Sequence, residues 1–307
     1  MYLSPVPTSY AQCFIERQRL VPPQTDMFRV IDGKAEGYPD IFVDYFAGRL
    51  LVSTRDTALP KSLAQEIQQV ATTGVPVFLK HLEQQDKEAP VQIAGPELPV
   101  RFVGLENGLS YWIDMSAGYS QGIFLDQRNN RKRIRNLVRP GDTVLNTFSY
   151  TGAFSICAAS AGATVTTLDL AQPCLDWAKE NMGLNGIYPE DHFFCKGDTL
   201  HWLDRFARQG RQFQGIILDP PTFSRDKQGK VWRVERDYGT LLEKAARCLA
   251  PDGWIFCSTN CRKLSHKNFR SMAMAAVPGT RIESGMMPPD FTGEPYLKSL
   301  FIFNQGH

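Results

Sequence analysis

The 307 residues carry a formal net charge of +2, and 43% are hydrophobic against 21% charged. Such a chain buries a sizeable core, has room for two domains of roughly 100–200 residues each, and lacks the composition of a disordered or fibrous protein. The near-neutral balance excludes a uniformly basic chain, so any phosphate-binding surface has to be local.

The seven cysteines are odd in number and none forms a C-x-x-C pair. Neither a disulfide framework nor a zinc site is suggested, and a reducing compartment is expected. Residues 1–5 lack the basic start and apolar run of a signal peptide. No apolar run approaches the roughly 20 residues that span a bilayer, so a cytoplasmic protein without a metal is expected.

In chain order, residues 10–20 read as a short helix. Residues 28–31, 41–45 and 50–53 read as strands broken by Gly33, Gly37, Pro39 and Gly48. A helix over 60–70, a strand over 77–81 and a polar loop over 83–90 follow. Strands separated by turns rather than helices predict a small α+β domain, bounded at residues 1–108.

From residue 109 the pattern changes. A basic helix over 127–138 ends at Pro140-Gly141, and strands then alternate with helices. Strands are expected at 143–146, 164–169, 192–196, 215–219 and 254–258, each followed by a helix: 152–161, 171–184, 198–208, 236–249 and 266–276. Two last strands, 281–284 and 297–303, lack a helix between them. The pattern predicts a doubly wound, mostly parallel seven-stranded α/β sheet with an antiparallel edge over residues 109–307.

Ligands of such sheets bind outside the carboxyl ends of the strands. The first strand leads into Thr147-Phe148-Ser149-Tyr150-Thr151-Gly152, with neither a dinucleotide fingerprint nor a P-loop. The second strand ends at Asp169, a placement that suits a ribose diol and equally a helix N-cap. After the third, Asp198 fits both an adenine amino group and an N-cap. The fourth leads into Asp219-Pro220-Pro221-Thr222-Phe223-Ser224. Two prolines stiffen that turn and fix the Asp219 carboxylate, and Phe223 offers a face for a planar base. A merely rigid loop would not need the aspartate. Basic runs at 128–139, 225–236 and 262–267 read either as solvated faces or as phosphate contacts.

At these residues the sequence resembles class I S-adenosylmethionine-dependent methyltransferases that act on nitrogen or on nucleic-acid bases. The strings Ala117-Gly-Tyr-Ser-Gln-Gly-Ile-Phe-Leu-Asp-Gln-Arg128, Asn146-Thr-Phe-Ser-Tyr-Thr-Gly152 and Asp219-Pro-Pro-Thr-Phe-Ser224 narrow the likeness to bacterial large-subunit ribosomal RNA methyltransferases, which include guanine-N7 and cytosine-C5 enzymes. Residues 28–44 resemble the small domain preceding the catalytic domain in both, and the likeness spans about residues 10–305. It implies S-adenosylmethionine as cofactor, bound by Phe148, Ser149, Tyr150, Thr151, Gly152, Asp169, Leu170, Asp198 and Asp219. It implies a target base held by Asp219, Pro220, Pro221 and Phe223. RNA contacts are expected at Arg128, Arg131, Lys132, Arg225, Lys227, Asn260, Arg262 and Lys263, with the small domain positioning the RNA.

Two departures separate the chain from the cytosine-C5 type. Its start is expected to be too short to carry the additional RNA-binding domain with which those enzymes usually begin. Where they place the cysteine nucleophile that activates C5, this chain has Asn260, with Cys261 one residue later. Guanine N7 has an exposed lone pair and needs only alignment with the methyl group, so N7 is the favoured acceptor. A protein or small-molecule N-methyltransferase and a noncatalytic RNA-binding factor are the competing expectations.

Overall fold

The structure is a computed structural model that describes residues 7–55, 58–82, 88–225 and 231–304. The chain divides into two compact units: residues 1–128 with 288–295, and residues 129–287 with 296–307.

In the first unit, helix α1 (Tyr10–Leu20) starts at Ser9, whose side chain accepts from the backbone of Gln12. It buries Tyr10, Cys13 and Arg17, one face at helical spacing. Strands β1 (Met27–Asp32), β2 (Ile41–Phe46) and β3 (Arg49–Thr54), helix α2 (Lys61–Thr72), and strands β4 (Val77–His81) and β5 (Val91–Ala94) follow. The five strands form one sheet in sequence order. Only β3 and β4 are parallel, as the crossover through α2 requires. Phe28, Val30, Ile31, Val43, Leu50, Val52, Leu63 and Ile67 are among the side chains that close its core.

A hairpin of β6 (Arg101–Glu106) and β7 (Leu109–Asp114) completes this unit. Asn107 and Gly108 both have positive φ (51° and 77°), as a tight two-residue hairpin turn demands. The expected boundary at 108/109 is therefore corrected: it would cut this hairpin, and the first unit runs on to Arg128. The hairpin is tied to β1 and the chain before it. Asp26 N donates to Leu105 O at 3.0 Å, Gly108 N donates to Gln24 O at 3.0 Å, and Gly104 leaves room for the Met27 thioether. Residues 288–295 belong here because charge draws them in. Arg128 pairs with Asp290, which also accepts from Arg29 N at 2.9 Å, while Gly293 N donates to Asp32 at 2.7 Å. The loop expected over 83–90 falls largely outside the described residues, as 83–87 are not among them.

The second unit takes up α3 (Arg128–Leu137) after its first residue. It continues with β8 (Thr143–Thr147), α4 (Ala153–Ser160), β9 (Thr164–Asp169), α5 (Gln172–Leu184), β10 (Phe193–Lys196), α6 (Thr199–Arg208) and β11 (Phe213–Leu218). A small hairpin of β12 (Phe223–Arg225) and β13 (Val231–Arg233) precedes α7 (Val234–Ala246), β14 (Leu249–Thr259), α8 (His266–Ala276), β15 (Arg281–Ser284) and β16 (Lys298–Phe303). The seven-stranded sheet has the order β10-β9-β8-β11-β14-β16-β15. The strands from β10 to β14 are parallel, and β16 is antiparallel to β14 and β15. Apolar layers cover both faces. One gathers Leu203, Leu241, Leu242, Phe269 and Leu300, the other Ile134, Val144, Phe154, Phe256 and Phe301. Among the described residues no helix is long and apolar enough to cross a membrane.

Candidate active site

The strand order reverses beside β8. The chain leaves β8 toward β9 and β10 on one side, and resumes with β11 and β14 on the other. Loops that diverge at such a point open a crevice at the carboxyl edge of the sheet. The register brings the expected residues to that edge: Thr147 lies opposite Leu168 and Leu218, Lys196 opposite Asp169, and Leu218 opposite Cys257.

The loop after β8 is held in an unusual backbone. Phe148 and Tyr150 have φ of 52° and 48°, a region non-glycine residues seldom enter unless neighbours enforce it. Gly152 has φ 77°, and a Cβ there would come within 2.6 Å of the Ala178 Cβ, so glycine is required twice over. Asn181 donates to Thr151 O at 3.0 Å, and Ser155 joins Asn146 to Thr167 beneath the loop at 2.8 and 2.9 Å. Thr151 and Gly152 are buried, and Phe148 and Tyr150 partly so. The buried Ser149 hydroxyl has no hydrogen-bond partner among the described residues.

Asp169 fastens this loop from the neighbouring strand. Its carboxylate accepts from Tyr150 N and from Ala171 N, each at 2.9 Å, with Leu170 N–H as a further donor. Burial raises its pKa, and the three backbone donors pull it back toward the ionised form. Leu170, next along, is 64% exposed. Across the third loop, Asp198 caps α6 by accepting from His201 N at 2.9 Å and remains exposed, so the capping role is real and leaves the side chain accessible.

Asp219 is half-buried at the end of β11 and accepts from the Ser258 hydroxyl at 2.6 Å. Behind it, the fully buried Tyr238 hydroxyl joins two strand ends. It lies 2.9 Å from both Leu218 O and Ser258 O, and 3.0 Å from Ser258 N. Pro220 is buried and Pro221 exposed. The loop is braced by Trp232, whose indole N–H donates to Pro221 O at 2.8 Å while its ring lies 6.3 Å from that of Phe148. Phe223 is 50% exposed, with the Arg233 guanidinium 5.3 Å from its ring. Tyr238, Ser258 and Trp232 had no signal in the sequence, because their roles come from packing between distant elements.

Beyond β14, Asn260, Arg262 and Lys263 are exposed, whereas Cys261 is buried in the apolar core, its backbone N–H bonded to Thr259 Oγ1 at 3.1 Å. The RNA-contact set needs correction. Arg128 and Arg131 are each only 1% exposed: Arg128 is spent on the buried Asp290, and Arg131 lies against the Phe154 ring. Basic helix residues facing inward offer no phosphate contact. Lys132, on the outer face of α3, is exposed. Lys227 and the side chain of Arg225 lie outside the described residues.

A sequence-family profile described as S-adenosylmethionine-dependent methyltransferase matches residues 29–293. The chain is 32% identical over 297 residues to YwbD of Bacillus subtilis, provisionally named a ribosomal RNA large subunit methyltransferase, covering 92% of this chain and 73% of that one. It is 40% identical over 163 residues to ribosomal RNA large subunit methyltransferase K of Neisseria meningitidis, 52% of this chain and 46% of that protein, so less than half of that relative is matched. SMU.776, provisionally described as a methyltransferase and crystallised with SAH, superposes with a TM-score of 0.85 at 26% identity, over 96% of this chain and 80% of that one.

Proposed function

The chain belongs to the S-adenosylmethionine-dependent methyltransferases, and from that premise we propose that it methylates a base of large-subunit ribosomal RNA, at guanine N7 rather than cytosine C5. The substrate class is suggested by the names of YwbD and of methyltransferase K. A cytoplasmic setting goes with that substrate.

One observation carries the choice of acceptor atom. Cytosine C5 has to be activated by a thiolate adding to C6. The residue at the exit of β14 is the exposed Asn260, and Cys261 is 7% exposed within the apolar core. The exposed side chain at that exit is therefore an amide, which cannot add to C6, and the cysteine beside it is packed inside the protein. An acceptor that is nucleophilic unaided, such as a ring nitrogen, suits this site.

The cofactor fits the residues present. The ribose is assigned to Asp169, which has about four acceptor positions and uses three on backbone donors. Leu170 and Asp198 are assigned to the adenine, one as apolar cover and one as acceptor. The amino-acid end is assigned to the loop from Phe148 to Gly152. There the orphaned Ser149 hydroxyl and the start of α4, whose first turn has no acidic residue, suit a charged polar group. When bound, S-adenosylmethionine supplies the electrophilic methyl group that the acceptor takes in line. Asp219, fixed by Ser258, with Pro220, Pro221 and Phe223, is assigned to holding the base. That is catalysis by orientation. Asn260, Lys132, Arg262 and Lys263 are assigned to the RNA, and the first unit to its positioning.

The test is methyl transfer from labelled S-adenosylmethionine to unmodified large-subunit ribosomal RNA, with digestion to nucleosides and mass spectrometry. N7-methylguanosine is expected. C5-methylcytidine would refute the acceptor assignment, and labelling of protein instead of RNA would refute the substrate. Cys261→Ala should keep methyl transfer within about threefold; its abolition in a folded variant would revive covalent activation.

A further inference from the structure

Lys298 is the first residue of β16. Because β16 runs antiparallel to β14, its first residue lies at the carboxyl edge of the parallel strands, opposite Thr259. The next rung pairs Ser299 with Ser258, the residue whose hydroxyl holds Asp219. Neighbouring strands lie about 4.8 Å apart, so Lys298 begins about 10 Å from β11, the strand that leads into Asp219. That span is suited to one nucleotide. Nothing in the sequence pattern marked this lysine, since it follows the last loop rather than a motif.

The ammonium is half-buried, and among the described residues no carboxylate pairs with it. Its described hydrogen bond goes to Tyr296 O at 2.8 Å, which uses one of three donors. The groups that act on it electrostatically are the side chains of Cys261 and Arg262, both at the exit of β14. Desolvation pulls its pKa down, Cys261 opposes that pull, and Arg262 adds a smaller one in the same direction as desolvation. A half-buried ammonium without a carboxylate partner, with an exposed guanidinium acting on it, is stabilised by an anion that both can reach. Lys80 in the first unit is a useful contrast. It is also desolvated, but its ammonium spends two bonds on Gly118 O and Tyr119 O, at 2.8 and 3.2 Å, and pins a loop.

Resting on the ribosomal RNA reading, we propose that Lys298 is a phosphate-binding residue of the acceptor site, which with Arg262 takes the backbone phosphate of the nucleotide to be methylated and sets its base against Asp219. Methylation of N7 uses a lone pair and releases no proton, so the reaction needs this lysine for its charge rather than as a base. The contact is a positioning one, and phosphate contacts fix register without reading sequence.

The experiment compares wild type, Lys298→Gln and Lys298→Arg on unmodified large-subunit ribosomal RNA transcribed in vitro, over a range of KCl concentrations, with SAH affinity measured by calorimetry. Lys298→Gln should weaken RNA binding roughly tenfold and lower the slope of log K against log salt by about one. It should raise KM more than it lowers kcat and leave SAH affinity unchanged. Lys298→Arg keeps the charge and should keep the slope. An unaltered slope and KM in Lys298→Gln overturn the proposal, as does an equal loss in Lys298→Arg. A wild type that binds SAH but neither binds nor methylates RNA refutes the ribosomal reading itself, and this inference with it.

Discussion

Asp169→Asn removes a charge and keeps the side chain's shape, and its effect can be worked out from the site. The native carboxylate accepts from Tyr150 N and Ala171 N at 2.9 Å each, and from Leu170 N–H. The amide has one oxygen, so one of those N–H groups must face an NH2 donor. Losing a charge-assisted bond and stranding its donor costs about 2–3 kcal/mol. Asp169 is partly exposed, so water recovers some of that loss and the low end is expected. At about 2–4 °C per kcal/mol for a unit of this size, the melting temperature should fall by about 4–8 °C. The cofactor then loses its charged acceptor, worth about 1.5–3 kcal/mol, or about 10- to 150-fold in Kd. Calorimetric titration with SAH and a thermal melt of the same preparation read the two effects separately. If the variant binds SAH as the wild type does and melts at the same temperature, Asp169 neither organises the loop nor holds the ribose, and the cofactor assignment fails.

Tyr238→Phe removes the hydroxyl that joins β11 to β14 and leaves the Ser258 N–H buried and unmatched. A loss of about 1–3 kcal/mol is expected, with kcat falling more than SAH affinity because Ser258, which holds Asp219, and Leu218, which precedes it, lose their common anchor. A variant with wild-type melting temperature and kcat would count against that arrangement. His192 gives a pH signature: its Nδ1 accepts from Val165 N at 3.1 Å, and burial lowers its pKa from the ordinary 6.5, against the opposing pull of Asp191. The fold holds this ring neutral, so its contribution is present above pH 6.5. The contribution is lost as the pH falls below 6.5, where the unfolded chain takes up the proton first. Stability measured by denaturant titration between pH 7 and pH 5 should therefore fall more steeply in wild type than in His192→Asn, and parallel profiles would remove the assignment.

The sequence by itself determined the alternation of strands and helices from residue 143 onward. There apolar runs of strand length alternate with longer segments of helical period, and glycine, proline and aspartate punctuate them. It determined the placement of Asp169, Asp198 and Asp219 at strand ends, because a residue's position in such a pattern fixes the edge it occupies. The Asn107-Gly108 signal was present too, between runs of period two, but Gly104 reads as a breaker until Met27 is seen to fill the space beside it. Only the tertiary structure decided which basic residues face water. A lysine or arginine on a helix looks the same in sequence whether it meets solvent, as Lys132 does, or a buried carboxylate from 162 positions away, as Arg128 does. The same holds for Tyr238, whose partners Leu218 and Ser258 are each 20 residues distant, and for Lys298, which pairing with β14 carries to the edge of the site. Periodicity reports local conformation, whereas the partner of a buried charge or hydroxyl is set by which distant strands pair and in what register.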